Sequence, residues 1–150
     1  MYVRGCAKIL RMTHIDENCI FCKIIKKEIP AHIIYEDEHT LALLDIKPVS
    51  PGHTLVIPKD HYENIFTAPE ETLVRMIQTV KKVSHGIKDG LSIENMNISI
   101  NNGADAGQVI FHSHIHLVPR SKGDGLKLWP GGAYKDGEAQ KILEQIKNAL

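Results

Sequence analysis

No run of about 20 apolar residues occurs in the 150-residue chain, so no segment of it reads as a membrane-crossing helix. Net charge is missing too, with 18 Lys and Arg against 18 Asp and Glu. A broad basic face for nucleic acid is not expected, because phosphate contacts of that kind show as a positive excess. Any anion recognition should therefore sit in a local pocket. Cysteine is scarce: Cys6, Cys19 and Cys22 form an odd set and no disulfide framework, which favours reduced thiols or metal ligands. The opening "MYVRGCAKILRMTHIDEN" has no sustained apolar core followed by a small-residue cleavage site. We read no signal peptide there and expect a cytoplasmic location. Internal repeats and low-complexity tracts are also absent. Residues 1–15 read as a disordered N-terminal extension, and 16–150 as a single domain large enough to bury its own core.

What is present has clear periodicities. "CIFCKIIKKEIP" places Ile20, Phe21, Ile24 and Ile25 on one face of a short helix that Pro30 ends. "HIIYED" and "TLALLD" read as a hairpin, "KPVSPG" as a turn, and "HTLVIPK" as the next strand. Residues 69–88 form the clearest helix, with Pro69 and two glutamates at its start and Leu73, Ile77, Val80 and Ile87 at helical spacing. "MNISIN" and "VIFHSHIHLV" read as two further strands around the loop "NNGADAGQ", and "GEAQKILEQIKNAL" as a closing amphipathic helix. The pattern predicts an α+β domain, an antiparallel sheet of about five strands with one long and two shorter helices.

Within "FHSHIHLVPR", His112, His114 and His116 recur at every second residue. On a strand they would share one face with Ile110, leaving Phe111, Ser113, Ile115 and Leu117 on the other. Successive same-face residues lie roughly 6.6–7 Å apart, so three imidazoles of one straight strand reach poorly to a single ion. A nucleophile needs only one neutral imidazole in the right tautomer, with donors beside it for the developing negative charge. His114, flanked on both sides, is best placed. The glycines of "NNGADAGQ" let backbone approach a ligand, and Asn101, Asn102 and Gln108 supply amide donors for an anion. Cys19 and Cys22 have zinc-ligand spacing, but one such pair is half a site; buried apolar thiols fit the spacing equally, and a redox couple fits least, because no thioredoxin-like βαβ pattern surrounds it.

These residues resemble the histidine triad (HIT) superfamily, whose mark is His-x-His-x-His followed by two apolar residues, here His112 to Val118. The resemblance runs from about Cys19 to the C-terminus. It includes "IFCKIIKKEIPAHIIYED", "DIKPVSPGHTLVIPK", "NNGADAGQ" and "LWPGG" in that order, and is nearest the bacterial and archaeal members related to the purine nucleotide-binding hydrolases. It implies a nucleotidyl hydrolase or transferase with His114 as nucleophile and His116 assisting phosphate and leaving group. It further implies Asp45 holding the ribose, Ile46 and Ile24 walling a purine base, and Asn101, Gln108 and the Val109 backbone contacting phosphate. Zinc-containing members pair Cys-x-x-Cys with two histidines, which implies a structural zinc on Cys19, Cys22, His61 and His112. No organic cofactor is expected.

The resemblance also implies a homodimer in which the "LWPGG" segment, with Trp129, reaches toward the partner's site. Two positions depart from the pattern: Val109 stands where a serine or threonine is common, and Ser113 where an apolar residue is usual. The other histidines (His14, His32, His39, His53, His85) read as surface or packing residues, with His53 in the "PGH" turn near the phosphate site. Two other functions compete, a hydrolase with a catalytic metal on the histidine strand and a non-catalytic nucleotide-binding module.

Overall fold

A computed structural model describes residues 14–150. Of the expected extension, residues 1–13 lie outside the described residues. His14 and Ile15 are tied to the domain: the His61 N–H donates to the His14 carbonyl at 2.6 Å, and Ile15 packs on the core.

The elements are α1 (Ile20–Ile25), β1 (Ile33–Glu36), β2 (Thr40–Leu44), β3 (Thr54–Pro58), α2 (Glu70–Leu91), β4 (Asn95–Ile100), β5 (Ile115–Arg120) and α3 (Glu138–Lys147). The five strands form one antiparallel sheet in the order β1-β2-β3-β5-β4, so the predicted α+β architecture is the observed one. No described helix is long and apolar enough to cross a membrane.

The sheet is covered on both faces, and strand alternation assigns each residue to one of them. Leu41, Leu43, Leu55 and Ile57 pack with Phe21, Cys22 and Ile24 of α1. Ala42, Val56, Ile115 and Leu117 pack with Met76, Val80, Val83 and Ile87 of α2. This explains why "TLALL" and "TLVIP" read as continuous apolar runs, since both are central strands buried on both sides. On β5 the parity of Ile115 and Leu117 sends His116 to the α1 face. Ile77, expected on the buried stripe of α2, is instead 56% exposed, because the stripe runs through Thr72, Met76, Thr79 and Val83.

One expectation fails in a way that matters. The strand predicted over 109–118 begins only at Ile115. β3 pairs with β5 from Thr54–Leu117 to Val56–Ile115 and no further. Beyond that point the Pro58 carbonyl accepts a hydrogen bond from His112 Nε2 at 2.9 Å. A side chain has taken the place of a ladder bond, and residues 109–114 leave the sheet. Phe111, expected on the core face, is 44% exposed as a result.

The turn into β3 is tightly built. Gly52 has φ +85, a left-handed conformation costly for side-chain-bearing residues, and an added Cβ would collide with the Leu91 side chain and lie 3.3 Å from Pro119 Cγ. Gly52→Ala is expected to lower stability by about 1–3 kcal/mol in urea unfolding. A wild-type midpoint would refute that account.

Candidate active site and a neighbouring thiol–imidazole cluster

Residues 109–114, having left the sheet, turn the three histidines to different tasks. His112 is fully buried, and its Nε2–H donates to the Pro58 carbonyl, so Nδ1 carries the lone pair. That Nδ1 lies 3.5 Å from Cys19 Sγ and 3.6 Å from Cys22 Sγ, while His61 Nδ1 lies 3.4 Å from Cys22 Sγ. All four donor atoms fall within 4.8 Å of one another. A tetrahedron with arms of about 2.0–2.3 Å has edges of about 3.3–3.8 Å, so the set fits a zinc-sized ion with every position filled by protein. Burial pushes the His112 imidazole down to about 4 and the Cys22 thiol up to about 11. The imidazole is therefore already the neutral form a metal requires, whereas the thiol would have to give up its proton.

His114 faces the other way. Its Nδ1–H donates to the His112 carbonyl at 2.7 Å, which leaves the lone pair on Nε2. Burial holds this imidazole below its ordinary pKa, so it is neutral near pH 7. It is 5% exposed and lines a cavity of about 330 Å³ on the α1 face of the sheet. Phe21 stands between the two sites, its ring edge-on to His112 at 5.7 Å and to His114 at 5.4 Å.

His116 lines the same cavity, its ring 4.9 Å from that of His114. Ile24 is buried in the wall, and the mouth is formed by Ile46 and Val109, which are 80% and 85% exposed. Asp45, just after β2, also lines it; its Oδ1 accepts the Lys47 N–H at 2.7 Å. The cavity therefore gathers Ile24, Asp45, Ile46, Val109, His114 and His116.

Asn101 and Gln108 are not among its lining residues. Asn101 Nδ2 donates to the Gly107 carbonyl at 3.4 Å. Gln108 is buried, and its amide donates to the carbonyls of Glu63 at 2.6 Å and Ile110 at 3.2 Å while accepting the Gly103 N–H at 2.8 Å. Both of its amide hydrogens are spent on holding the loop, so the expected free donor at Gln108 is corrected to a brace. Gly107 and Val109 of the same loop remain at the cavity wall.

His53 reads from the sequence as a surface or packing residue near the phosphate site, without a partner named for it. It is 4% exposed, and its Nε2 lies 2.9 Å from His116 Nδ1. A signal was available: His53 shares strand parity with Leu55 and Ile57, the face that carries the site.

Burial, with His114 and His53 beside it, pushes His116 down to about 4, from an ordinary 6.5. The unfolded chain therefore takes up this proton first. The contribution of His116 to stability is complete above about pH 6.5 and is lost as pH falls towards about 4. Urea unfolding should show lower stability at pH 5 than at pH 7, with a flatter dependence in His116→Asn. Equal slopes in the two proteins would exclude His116 as a source.

Comparison with known proteins places the chain in a family. The family model described as "HIT domain" matches residues 26–123. Protein hit of Bacillus subtilis is 45% identical over 141 residues, covering 91% of this chain and 97% of that protein. Adenylylsulfatase HINT3 of Arabidopsis thaliana is 37% identical over 91% of this chain and 71% of its own length. Adenosine 5'-monophosphoramidase HNT1 of Candida albicans is 37% identical over 89% and 91%. Among solved structures, a HIT family member from Bacillus subtilis superposes with a TM-score of 0.82 at 46% identity, covering 89% of this chain and 98% of that one. A Zn-bound histidine triad family protein from Mycobacterium smegmatis superposes with a TM-score of 0.71 at 38% identity, with the same coverage. With a family model matching residues 26–123, a relative 45% identical over 91% of this chain and a solved structure superposing with a TM-score of 0.82, the chain belongs to the HIT domain family.

Proposed function

We propose that the protein is a nucleotide hydrolase or transferase that cleaves a bond at the α-phosphate of a nucleoside monophosphate conjugate through a covalent nucleotidyl-His114. The observation that carries this reading is the Nδ1–H of His114 held by the His112 carbonyl at 2.7 Å. It leaves a neutral Nε2 lone pair on a group that lines the cavity. The relatives named as an adenylylsulfatase and an adenosine 5'-monophosphoramidase support an adenylyl-type substrate.

In this mechanism His114 Nε2 attacks phosphorus, the bond from phosphorus to the leaving group breaks, and that group departs with the electron pair. Water then attacks phosphorus and gives up a proton; the P–N bond breaks with its electron pair returning to His114 Nε2, which releases the nucleoside monophosphate and restores the imidazole. Two displacements replace one difficult step. Phosphoryl-type transfer depends mainly on positioning and charge stabilisation, to which His116 and the Val109 backbone N–H contribute. The second carboxylate oxygen of Asp45 is available to ribose hydroxyls, and Ile24 and Ile46 sandwich a purine base. Asn101 and Gln108 support the phosphate loop from behind.

Cys19, Cys22, His61 and His112 would hold a zinc ion, which supplies a structural cross-link between α1 and the histidine loop. The Zn-bound relative supports this assignment. A catalytic metal shared by His112 and His114 finds no support, because the His112 Nδ1 lone pair faces the thiols while His114 Nδ1 faces the His112 carbonyl. Free thiols at Cys19 and Cys22 suit a reducing compartment, and we read the protein as cytoplasmic.

A second copy of the chain is the proposed partner. β4 is an edge strand, and between it and α2 lies a groove of about 440 Å³ lined by Ile77, Val80, Met96 and Ile98. Ile77 and Ile98 are 56% and 51% exposed, Trp129 is 93% exposed, and no residue of α3 is buried. Unpaired edges and open apolar faces of this kind are normally covered.

Three measurements check these points. Incubation with radiolabelled adenosine 5'-phosphoramidate, followed by denaturing quench, should leave acid-labile adenylyl label on the wild type and none on His114→Ala, whose turnover should fall by about 10³-fold or more. Wild-type turnover in His114→Ala would leave only the non-catalytic reading or another nucleophile. Purified protein should contain one zinc per chain, lost in Cys22→Ser together with thermal stability; metal-free wild type of full stability would contradict the assignment. Sedimentation should give a dimer that Ile98→Arg converts to monomer, and a monomeric wild type would exclude this interface.

A further inference from the structure

Asp16 opens the stretch "DENCIFC", three residues ahead of Cys19 and six ahead of Cys22. Its groups reach three of the four residues of the thiol–imidazole cluster. The Asp16 N–H donates to Cys22 Sγ at 3.5 Å. The Asp16 carbonyl accepts the Cys19 N–H at 3.1 Å, which sets the chain entering α1. The carboxylate divides its oxygens: Oδ1 accepts the Asn18 N–H at 2.8 Å, closing a local turn, and Oδ2 faces His61 Nε2 at 3.9 Å. The segment is tied down beside His61 as well. The His14 N–H donates to Asp60 Oδ1 at 3.3 Å, and the His14 carbonyl accepts the His61 N–H.

The two imidazoles of the cluster are thereby arranged alike. His112 turns Nδ1 to the thiols and Nε2 to an oxygen acceptor, the Pro58 carbonyl. His61 turns Nδ1 to Cys22 Sγ and Nε2 to an oxygen of Asp16. When Nδ1 gives its lone pair to an ion, the proton of the ring is on Nε2. A carboxylate on that side orients the ring, favours the required tautomer and makes the ligating nitrogen more basic. At 3.9 Å it acts through its charge, because the distance exceeds that of a closed hydrogen bond. Two thiolates already balance a divalent ion, so one more negative charge at the rim favours the cation further. Asp16 is partly exposed, which keeps its carboxylate solvated and its cost to the fold small.

We infer that Asp16 is a positioning residue of the metal site. Its carboxylate orients His61 and its N–H supports the Cys22 sulfur, and together they set how tightly the cluster holds zinc. The inference rests on the structural-zinc reading above and adds to it a residue that touches no ion itself.

Competition for zinc between a chromophoric chelator and the full-length protein measures the effect. Asp16→Asn keeps an oxygen acceptor for the Asn18 N–H and the backbone N–H to Cys22, and removes the charge facing His61. It should bind zinc about 10-fold more weakly than wild type and release it faster, the scale of losing such a partner. Its metal-free form should unfold at the wild-type urea midpoint, which separates a lost metal contact from a damaged fold. Asp16→Ala, which also loses the turn acceptor, should bind zinc no more tightly than Asp16→Asn. In the zinc-loaded, ¹⁵N-labelled wild type, ring NMR should place the His61 proton on Nε2. Wild-type zinc affinity in Asp16→Asn would overturn the inference, and so would a His61 ring bound through Nε2 or a metal-free Asp16→Asn as destabilised as its zinc-bound form. A wild type that takes up no zinc would instead overturn the zinc reading itself, and this inference with it.

Discussion

The bond from His114 Nδ1 to the His112 carbonyl is the contact on which the site depends. His112 has two ends with two partners. Its carbonyl selects the tautomer of His114, and its ring is pinned between the Pro58 carbonyl and the thiols of Cys19 and Cys22. A peptide carbonyl is a precise director only if its own plane is immobile. The buried ring supplies that immobility, because turning the peptide would drag the imidazole out of its hydrogen bond and leave a polar group unsatisfied. The thiol–imidazole cluster and the cavity are thus neighbouring sites joined by one residue, with Phe21 packed against both rings as a second mechanical link.

The sheet makes this arrangement possible by being covered on both faces. α2 occupies one face with a continuous apolar stripe, and the site takes the other, roofed only partly by the six residues of α1. A short helix leaves room beside it. The cavity is that remaining space, closed at its edges by the turn carrying Asp45 and Ile46 and by the loop carrying Gly107 and Val109. Asp45 and His114 enter it from connections at the sheet end, each held by a backbone group, whereas His116 enters from β5 with the His53 ring against it. Gln108 shows the cost of such bracing, since its amide holds the loop and so is withheld from a ligand.

Much of this was legible in the sequence. The two-residue spacing of the histidines, the helical stripe of 69–88 and the hairpin around "EDEH" all express local periodicity, which backbone geometry translates directly. The Cys-x-x-Cys pair was legible as half of a site, and only family resemblance supplied His61 and His112 as the other half. Alternation misled at one place. It carried the strand back through residues 109–114, although a proline in the neighbouring strand and a side chain competing for its carbonyl end the ladder at Ile115. For His53, strand parity gives the face and the turn gives nearness to the site, but its contact to His116, 63 residues away, is not written in local pattern.

The element order and the three clustered imidazoles were written in the sequence, because local periodicity follows from which side chains suit water and which do not. Tertiary structure alone decided what each imidazole does. Tautomer and orientation depend on which carbonyl, amide or thiol stands at hydrogen-bond distance, and those partners come from β3, α1 and the turn before β3. Chemically identical rings two residues apart thereby become one fully buried ring against two thiols, one whose Nε2 lone pair is free beside the cavity, and one set against a further imidazole.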